Sequence, residues 1–398
     1  MIYLDHASTT PLRPEVLEVM TPWLTNEYGN PSGGHSVSRS ARRALDDARD
    51  VIAAALGGQP GEVVFTSGGT EADNLAITGA VLGARSRASL PGPAGATGAA
   101  GGRTAAVACT AVEHPAVLEP VKAAGGRVLG VDADGLVDLE ALAGWLAASG
   151  GGVAEVSVMV ANNETGALQP LAAVAELVRQ LAPEALVHTD AVQALPWSDL
   201  VSAASVADLV TISSHKVGGP KGAGALLVRS AARSRLQPVL RGGPQENELR
   251  AGTPDVAAIV GMAEAVRLTV AERQQRLVVA GDLGKRLVRE ITAAVAGAAE
   301  AVAAPKRLAT ICNLSFEGIE SEELLVALDQ LGVCASAGSA CASGALDPSH
   351  VLVAMGRSQA EARTHVRFSL GYSTTADEIE EAVGRIRQAV EGLRERSR

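Results

Sequence analysis

The sequence predicts an α/β protein built on a mainly parallel, doubly wound sheet, followed by a smaller α+β unit. Three observations lead there. The chain has 398 residues and is 47% hydrophobic, enough for a large core. Six short β-rich runs lie between Glu62 and Val228, most of them separated by helical stretches. From about Pro254 onward helical sequence dominates, with strands expected near Thr310 to Phe316 and His365 to Leu370. At roughly 150 residues per domain, the length suggests about two domains.

Each element follows from its pattern. Val37 to Leu56 reads as an amphipathic helix, with Arg42, Arg43, Asp46 and Asp47 on its polar side and Gly57-Gly58 as a stop. The β-rich runs are EVVFT (Glu62 to Thr66), AAVACT (Ala105 to Thr110), VSVMVANN (Val156 to Asn163), LVHTDA (Leu186 to Ala191), DLVTIS (Asp208 to Ser213) and GALLV (Gly224 to Val228). Pro170 to Leu181 is a helix between two of them. Gly83 to Gly102 has no apolar period and is rich in Gly, Ala, Ser and Pro, so a surface loop is expected there. Ligands of a doubly wound sheet sit beyond the carboxyl ends of its strands.

Bulk properties exclude some functions. A formal charge of −10 and a pI near 5.3 disfavour a nucleic-acid or anionic-membrane surface, which needs clustered Lys and Arg. The N-terminus has no basic leader, and every apolar stretch is interrupted before it could span a bilayer, so a cytoplasmic protein is expected. Four separated cysteines with no CxxC pair argue for reduced thiols rather than a disulfide scaffold, and no metal is expected. Only five lysines are present, so chemistry that needs an amine has few candidates.

Several segments could carry chemistry. TSGGTEADN (Thr66 to Asn74) follows a strand and opens a helix, leaving amides and the Thr70 hydroxyl free for an anion, or simply forming a helix cap. Asp190 ends a strand inside HTDAVQ, where a carboxylate needs a cationic or donor partner: a protonated pyridine nitrogen or a core arginine. In SSHKVGGPKG, Lys216 follows a strand, and partial burial there favours the neutral amine that Schiff-base chemistry needs. Lys221 lies in a glycine-rich turn and reads as a solvated charge. His114, in AVEHPA, could stack on a cofactor ring and move protons, or be structural. Cys341 sits among small residues in SAGSACASGA, the setting of an exposed, nucleophilic thiol or of a loop cysteine without a role, rather than of a core cysteine such as Cys109 or Cys312. Arg367, in the alternating run HVRFSLG, suits a bidentate carboxylate or an internal ion pair.

Taken together, YLDHASTT, GNPSGGHS, TSGGTEADN, EHPAV, ANNETG, HTDAVQ, SSHKVGGPKG, RAGTPD, SAGSACASG and VRFSLG resemble, in order and over nearly the whole chain, the cysteine desulfurases of the class V aminotransferase family, the NifS and IscS type. The resemblance implies pyridoxal-phosphate fold type I, with a large cofactor-binding domain at 16–255 and a small domain at 1–15 and 256–398 that carries the cysteine loop. It implies that Lys216 anchors pyridoxal 5'-phosphate, Asp190 keeps the pyridine nitrogen protonated, Gln193 bonds the ring hydroxyl, and His114 stacks on the ring and acts in acid-base steps. Gly69, Thr70, Ser213 and His215 would hold the phosphate, and Thr253 would reach the phosphate of a partner subunit in a homodimer. Asn30, Asn163 and Arg367 would bind the carboxylate side of L-cysteine, Asn163 also lying against the cofactor. Cys341 would attack the substrate's sulfur and carry it as a persulfide to an acceptor protein of iron-sulfur assembly or tRNA thiolation.

Two departures are visible. The glycine-rich loop from Gly83 is longer than the family's, and the chain closes on GLRERSR without the longer IscS tail, leaving the acceptor open. A selenocysteine lyase or an aminotransferase would share Lys216, Asp190 and the phosphate cradle, and only sulfur transfer needs Cys341. A cofactor-binding scaffold without activity is the non-enzymatic alternative, disfavoured by the complete set of polar residues.

Overall fold

The structure, a computed structural model, describes residues 1–89, 105–338 and 348–396. A two-residue strand β1 (Ile2–Tyr3) precedes helices α1 (Pro14–Thr25) and α2 (Ser36–Ala55), strand β2 (Val63–Thr66) and helix α3 (Gly69–Ala88). Alternation follows: β3 (Ala106–Thr110), α4 (Pro115–Ala123), β4 (Arg127–Leu129), α5 (Leu139–Ala148), β5 (Val153–Ser157), α6 (Leu171–Leu181), β6 (Leu186–Asp190), α7 (Leu200–Ala203), β7 (Leu209–Ser213) and β8 (Gly224–Val228). The C-terminal part holds α8 (Val256–Ala294), β9 (Ala298–Glu300), β10 (Ile311–Phe316), α9 (Ser321–Gln330), β11 (Val333–Cys334), α10 (His350–Ala354), α11 (Gln359–Ala362), β12 (His365–Ser369) and α12 (Ala376–Arg396).

The main sheet has seven strands in the order β2-β8-β7-β6-β5-β3-β4. Neighbours from β7 to β4 run parallel, while β8 is antiparallel to both β7 and β2. The expected mainly parallel sheet is therefore present. Apart from the edge strand β4 and the first residue of β3, its strands are buried throughout, and consecutive residues feed opposite faces, as a strand's two-residue period requires. Val187, Val210 and Leu227 join one core with α2, α5, α6 and the first half of α8, whereas Leu186, Leu209 and Leu226 join another with α3.

A three-stranded antiparallel sheet, β12-β10-β9, and the parallel pair β1-β11 lie in the C-terminal part. Phe316, Phe368 and Leu328 form its core with α12. One helix serves both cores: in α8, Ile259, Met262 and Val266 pack on the main sheet's core, and Leu287 and Ile291 on the smaller one. The segment after β1 crosses between them, since Asp5 bridges to Ser369 and the Thr10 amide bonds the His215 carbonyl.

Two expectations need correction. Gly83 to Ala88 is the last part of α3, not loop. Gly83 is glycine because a Cβ there would stand 1.9 Å from the Arg235 carbonyl oxygen, so it marks a close crossing rather than a turn. Residues 90–102 of the expected loop lie outside the described residues. The strand expected at Val156 to Asn163 begins earlier, at Val153, and ends at Ser157. Beyond it the chain still bonds β6, with Val158 and Val160 amides donating to the His188 and Asp190 carbonyls, but without forming a regular ladder.

Candidate active site

The carboxyl ends of β3, β5, β6 and β7 open onto one cavity of about 580 Å³. Gly69, Thr70, His114, Asn163, Asp190, Gln193, Ser213, His215, Lys216 and Arg367 all line it. Ten residues singled out from separate segments thus meet at one place, where a doubly wound sheet puts its ligands.

Lys216 sits on the turn after β7, and its Nζ donates to the Ala7 carbonyl at 2.5 Å and the Ser8 carbonyl at 2.7 Å. Asp190 ends β6, is 8% exposed, and its Oδ1 accepts from the Val192 amide at 2.8 Å. Burial pushes its carboxyl up to about 6 against the Val192 amide and the nearby Lys216 charge. A cationic donor arriving in the cavity would restore its charge. Gln193 Oε1 is buried and has no hydrogen-bond partner among the described residues, so one acceptor in the cavity wall awaits a donor.

At the opposite end α3 begins at Gly69, and its N-cap Gly68 supplies no side-chain cap. The first amides of that helix are left for an anion, beside the Thr70 and Ser213 hydroxyls and His215. The His215 Nδ1 lies 3.2 Å from Thr9 Oγ1, and burial, then Lys216 and Lys221, press its ring down to about 4. His114 caps α4 by accepting the Ala116 amide at Nδ1, so its neutral ring carries the proton on Nε2. Burial, then Lys216 and His350, lower it to about 4.

Arg367, in β12, is 1% exposed. Its Nη1 donates to the Asn163 carbonyl at 2.9 Å, and its Nη2 to Asp5 Oδ1 at 2.8 Å and Ser8 Oγ at 2.7 Å. Its backbone pairs with Ser336, and Gly338 and Pro348, on either side of position 341 in the sequence, both line the cavity. Cys341 itself lies outside the described residues. Asn30 is exposed and away from the cavity wall, its Oδ1 accepting the Ser32 amide at 2.9 Å. Thr253 is also apart, exposed in a separate cleft with Ser67 and Arg250.

Sequence reasoning missed some cavity residues. Glu164 is 2% exposed and takes a 2.5 Å hydrogen bond from Ser349 Oγ, its carboxyl held up by burial. His350 donates from Nε2 to the Glu113 carbonyl at 3.0 Å. Asp73, in α3, and Glu164 also line the cavity and fall inside motifs already quoted, TSGGTEADN and ANNETG, where neighbouring polar residues hid them. The contribution of Ala7 is a bare carbonyl, which no residue type announces.

A family model described as aminotransferase class-V matches residues 2–382. The chain belongs to the class V aminotransferase family. Among relatives in that family it is 36% identical to the cysteine desulfurase IscS of Dictyoglomus turgidum, over 99% of this chain and 95% of that one. A solved NifS-like protein superposes with a TM-score of 0.87 at 30% identity, covering 98% of this chain and all of its own. The structure of SspA in complex with cysteine superposes with a TM-score of 0.76 at 31% identity, covering 94% and 100%. The class V fold and the expected resemblance to NifS and IscS enzymes are therefore borne out.

Proposed function

We propose that this protein is a pyridoxal-phosphate-dependent cysteine desulfurase, converting L-cysteine to L-alanine and taking the sulfur onto Cys341. The observation that carries the reading is the placement of Lys216 Nζ in the same cavity as buried Asp190, with the bare N-terminus of α3 at its end. The residues present fit the cofactor: an amine, a carboxylate awaiting a cationic donor, an unpartnered Gln193 oxygen and an anion cradle each match one of its groups. Bound there, pyridoxal phosphate supplies an electron-withdrawing ring that acidifies the amino acid's α-carbon.

The chain's own residues do the rest. Lys216 anchors the cofactor and moves the α-proton. Asp190 holds the pyridine nitrogen protonated, and Gln193 bonds the ring hydroxyl. Gly69, Thr70, Ser213 and His215 hold the phosphate, and His114 covers the ring and offers its Nε2 proton. Arg367, fixed by Asp5, Ser8 and Asn163, has its Nε buried without a partner among the described residues and receives the substrate carboxylate, with Asn163 in the same cavity wall; the exposed Asn30 stands apart from that wall. Cys341, as thiolate, would form an S–S bond to the substrate's sulfur as that sulfur's bond to the β-carbon breaks, and protonation of the β-carbon would complete alanine. The 16–255 segment acts as the cofactor domain, and 1–15 with 256–398 as the domain that brings Cys341 to it.

Substrate choice is supported by SspA, whose structure holds cysteine in a related fold. The exposed position of Thr253 suits a role toward a partner subunit's phosphate in a homodimer. No helix among the described residues is long and apolar enough to cross a membrane, which fits a cytoplasmic enzyme handing sulfur to an iron-sulfur scaffold or tRNA-thiolating protein. Purified protein given L-cysteine and a reductant should release alanine and sulfide stoichiometrically; a chain that binds the cofactor yet forms neither is a scaffold instead.

A further inference from the structure

A second, smaller cavity shares Lys216 and Gln193 as wall residues but is otherwise built by α8 and the segments around Arg13 and Tyr372. Its volume is about 30 Å³. One water needs roughly 10–15 Å³ measured this way, so it takes two or so water-sized particles and no amino acid.

Three guanidinium groups, from Arg13, Arg273 and Arg276, line it. Their partners do not balance them. Glu272 takes Arg13 Nη1 at 2.9 Å and Arg276 Nε at 3.3 Å, and the Tyr372 carbonyl takes Arg276 Nη1 at 2.5 Å. Among the described residues Arg273 has only an exposed Asp199, 3.6 Å from its Nη1. Left over are Nε of Arg13, Nε and Nη2 of Arg273 and Oγ1 of Thr269, all buried and without a hydrogen-bond partner among the described residues. The Arg13 side chain is 6% exposed and that of Arg273 12%. Among the described residues two carboxylates, Glu272 and Asp199, thus pair with three guanidinium groups. Water could satisfy the donors, but only an anion also offsets the charge.

We propose that this pocket is an anion site that binds one small inorganic anion of halide size, held by Arg13, Arg273 and Thr269. It is separate from the cleft that receives the amino acid, and it stands whether or not the chain is a desulfurase.

Crystals of the cofactor-loaded protein soaked in sodium bromide test the site directly. An anomalous peak in contact with Arg273 and Thr269 is expected; bromide bound elsewhere with none there overturns the proposal. In solution, chloride replacing gluconate at equal ionic strength should raise the melting temperature of the wild type. Arg273→Gln should weaken the chloride midpoint at least tenfold, and Thr269→Val, which keeps the shape, should weaken it several-fold if the arginine variant fails to fold. A chloride dependence unchanged in both variants, or a bromide peak with no chloride dependence, marks an adventitious ion only and overturns the proposal. Sulfate acting as well as chloride at equal concentration also overturns it, since the cavity is too small for it.

Discussion

Lys216 Nζ and the Ala7 carbonyl oxygen stand 2.5 Å apart, so the lysine that faces the cavity is aimed by the backbone of the N-terminal segment. No other lysine among the described residues lines this cavity. Lys216→Ala is expected to remove the yellow absorbance of the cofactor-loaded protein and to leave no lysine trapped by borohydride. Lys221→Ala, whose side chain is exposed, should keep both. The reverse pattern in absorption spectra and peptide mass mapping would defeat the assignment.

Arg367 combines full burial with a planar fork held by Asp5, Ser8 and Asn163. Lysine cannot reproduce that fork. Arg367→Lys is expected to raise KM for L-cysteine about 10- to 100-fold, the loss of roughly 1.4–3 kcal/mol of charged hydrogen bonding. Steady-state kinetics that show an unchanged KM would place the guanidinium outside the substrate site.

Cys341→Ser should keep the cofactor spectrum and lose alanine formation from cysteine. In the wild type, mass spectrometry after exposure to cysteine should find one additional sulfur on the peptide that contains Cys341. Undiminished turnover in the serine variant would instead favour a lyase that needs no persulfide.

Glu155 in β5 is 1% exposed, and both its carboxyl oxygens lack partners among the described residues. Burial, then Asp208, raises its carboxyl from 4.5 to about 8. The His188 ring 3.9 Å away is itself pressed down to about 3 by burial, so the pair is neutral near pH 6 rather than an ion pair. Because the folded state holds the proton more tightly, this contribution is complete below 4.5 and is lost as pH rises to about 8. Glu155→Gln should therefore remove about 1.4 kcal/mol per pH unit of the stability decline between about pH 5.5 and 7.5. Urea unfolding of the apoprotein at those two values measures it, and parallel slopes for variant and wild type would refute a buried neutral acid.

Much of this was legible in the sequence because the evidence was local. The inner strands of the main sheet are short runs buried on both faces, so LVHTD and LVTIS read as strands on their own. The two-residue strands β1 and β11 carry no such signal, since they exist only by pairing with each other across the chain. Gly83 misled for a related reason: its glycine answers to Arg235, 152 residues later, not to its neighbours. At the site, motif residues with reactive side chains were found, while Asp5 and Ser8 were not, since their part is to hold Arg367 from the far end of the sequence. The unbalanced arginines behind Lys216 were likewise invisible, because Arg13 and Arg273 become neighbours only when α8 packs against the segment before α1.

The union of Asp5 and Ser8 with Arg367 also sets a timetable for manufacture. These partners are separated by 362 and 359 positions. A ribosome that has delivered the first cannot supply the second until almost all of the polypeptide has emerged. The growing chain must therefore keep its opening segment unspent and its substrate clamp unassembled throughout synthesis, so that enzymatic competence arrives late and in one step.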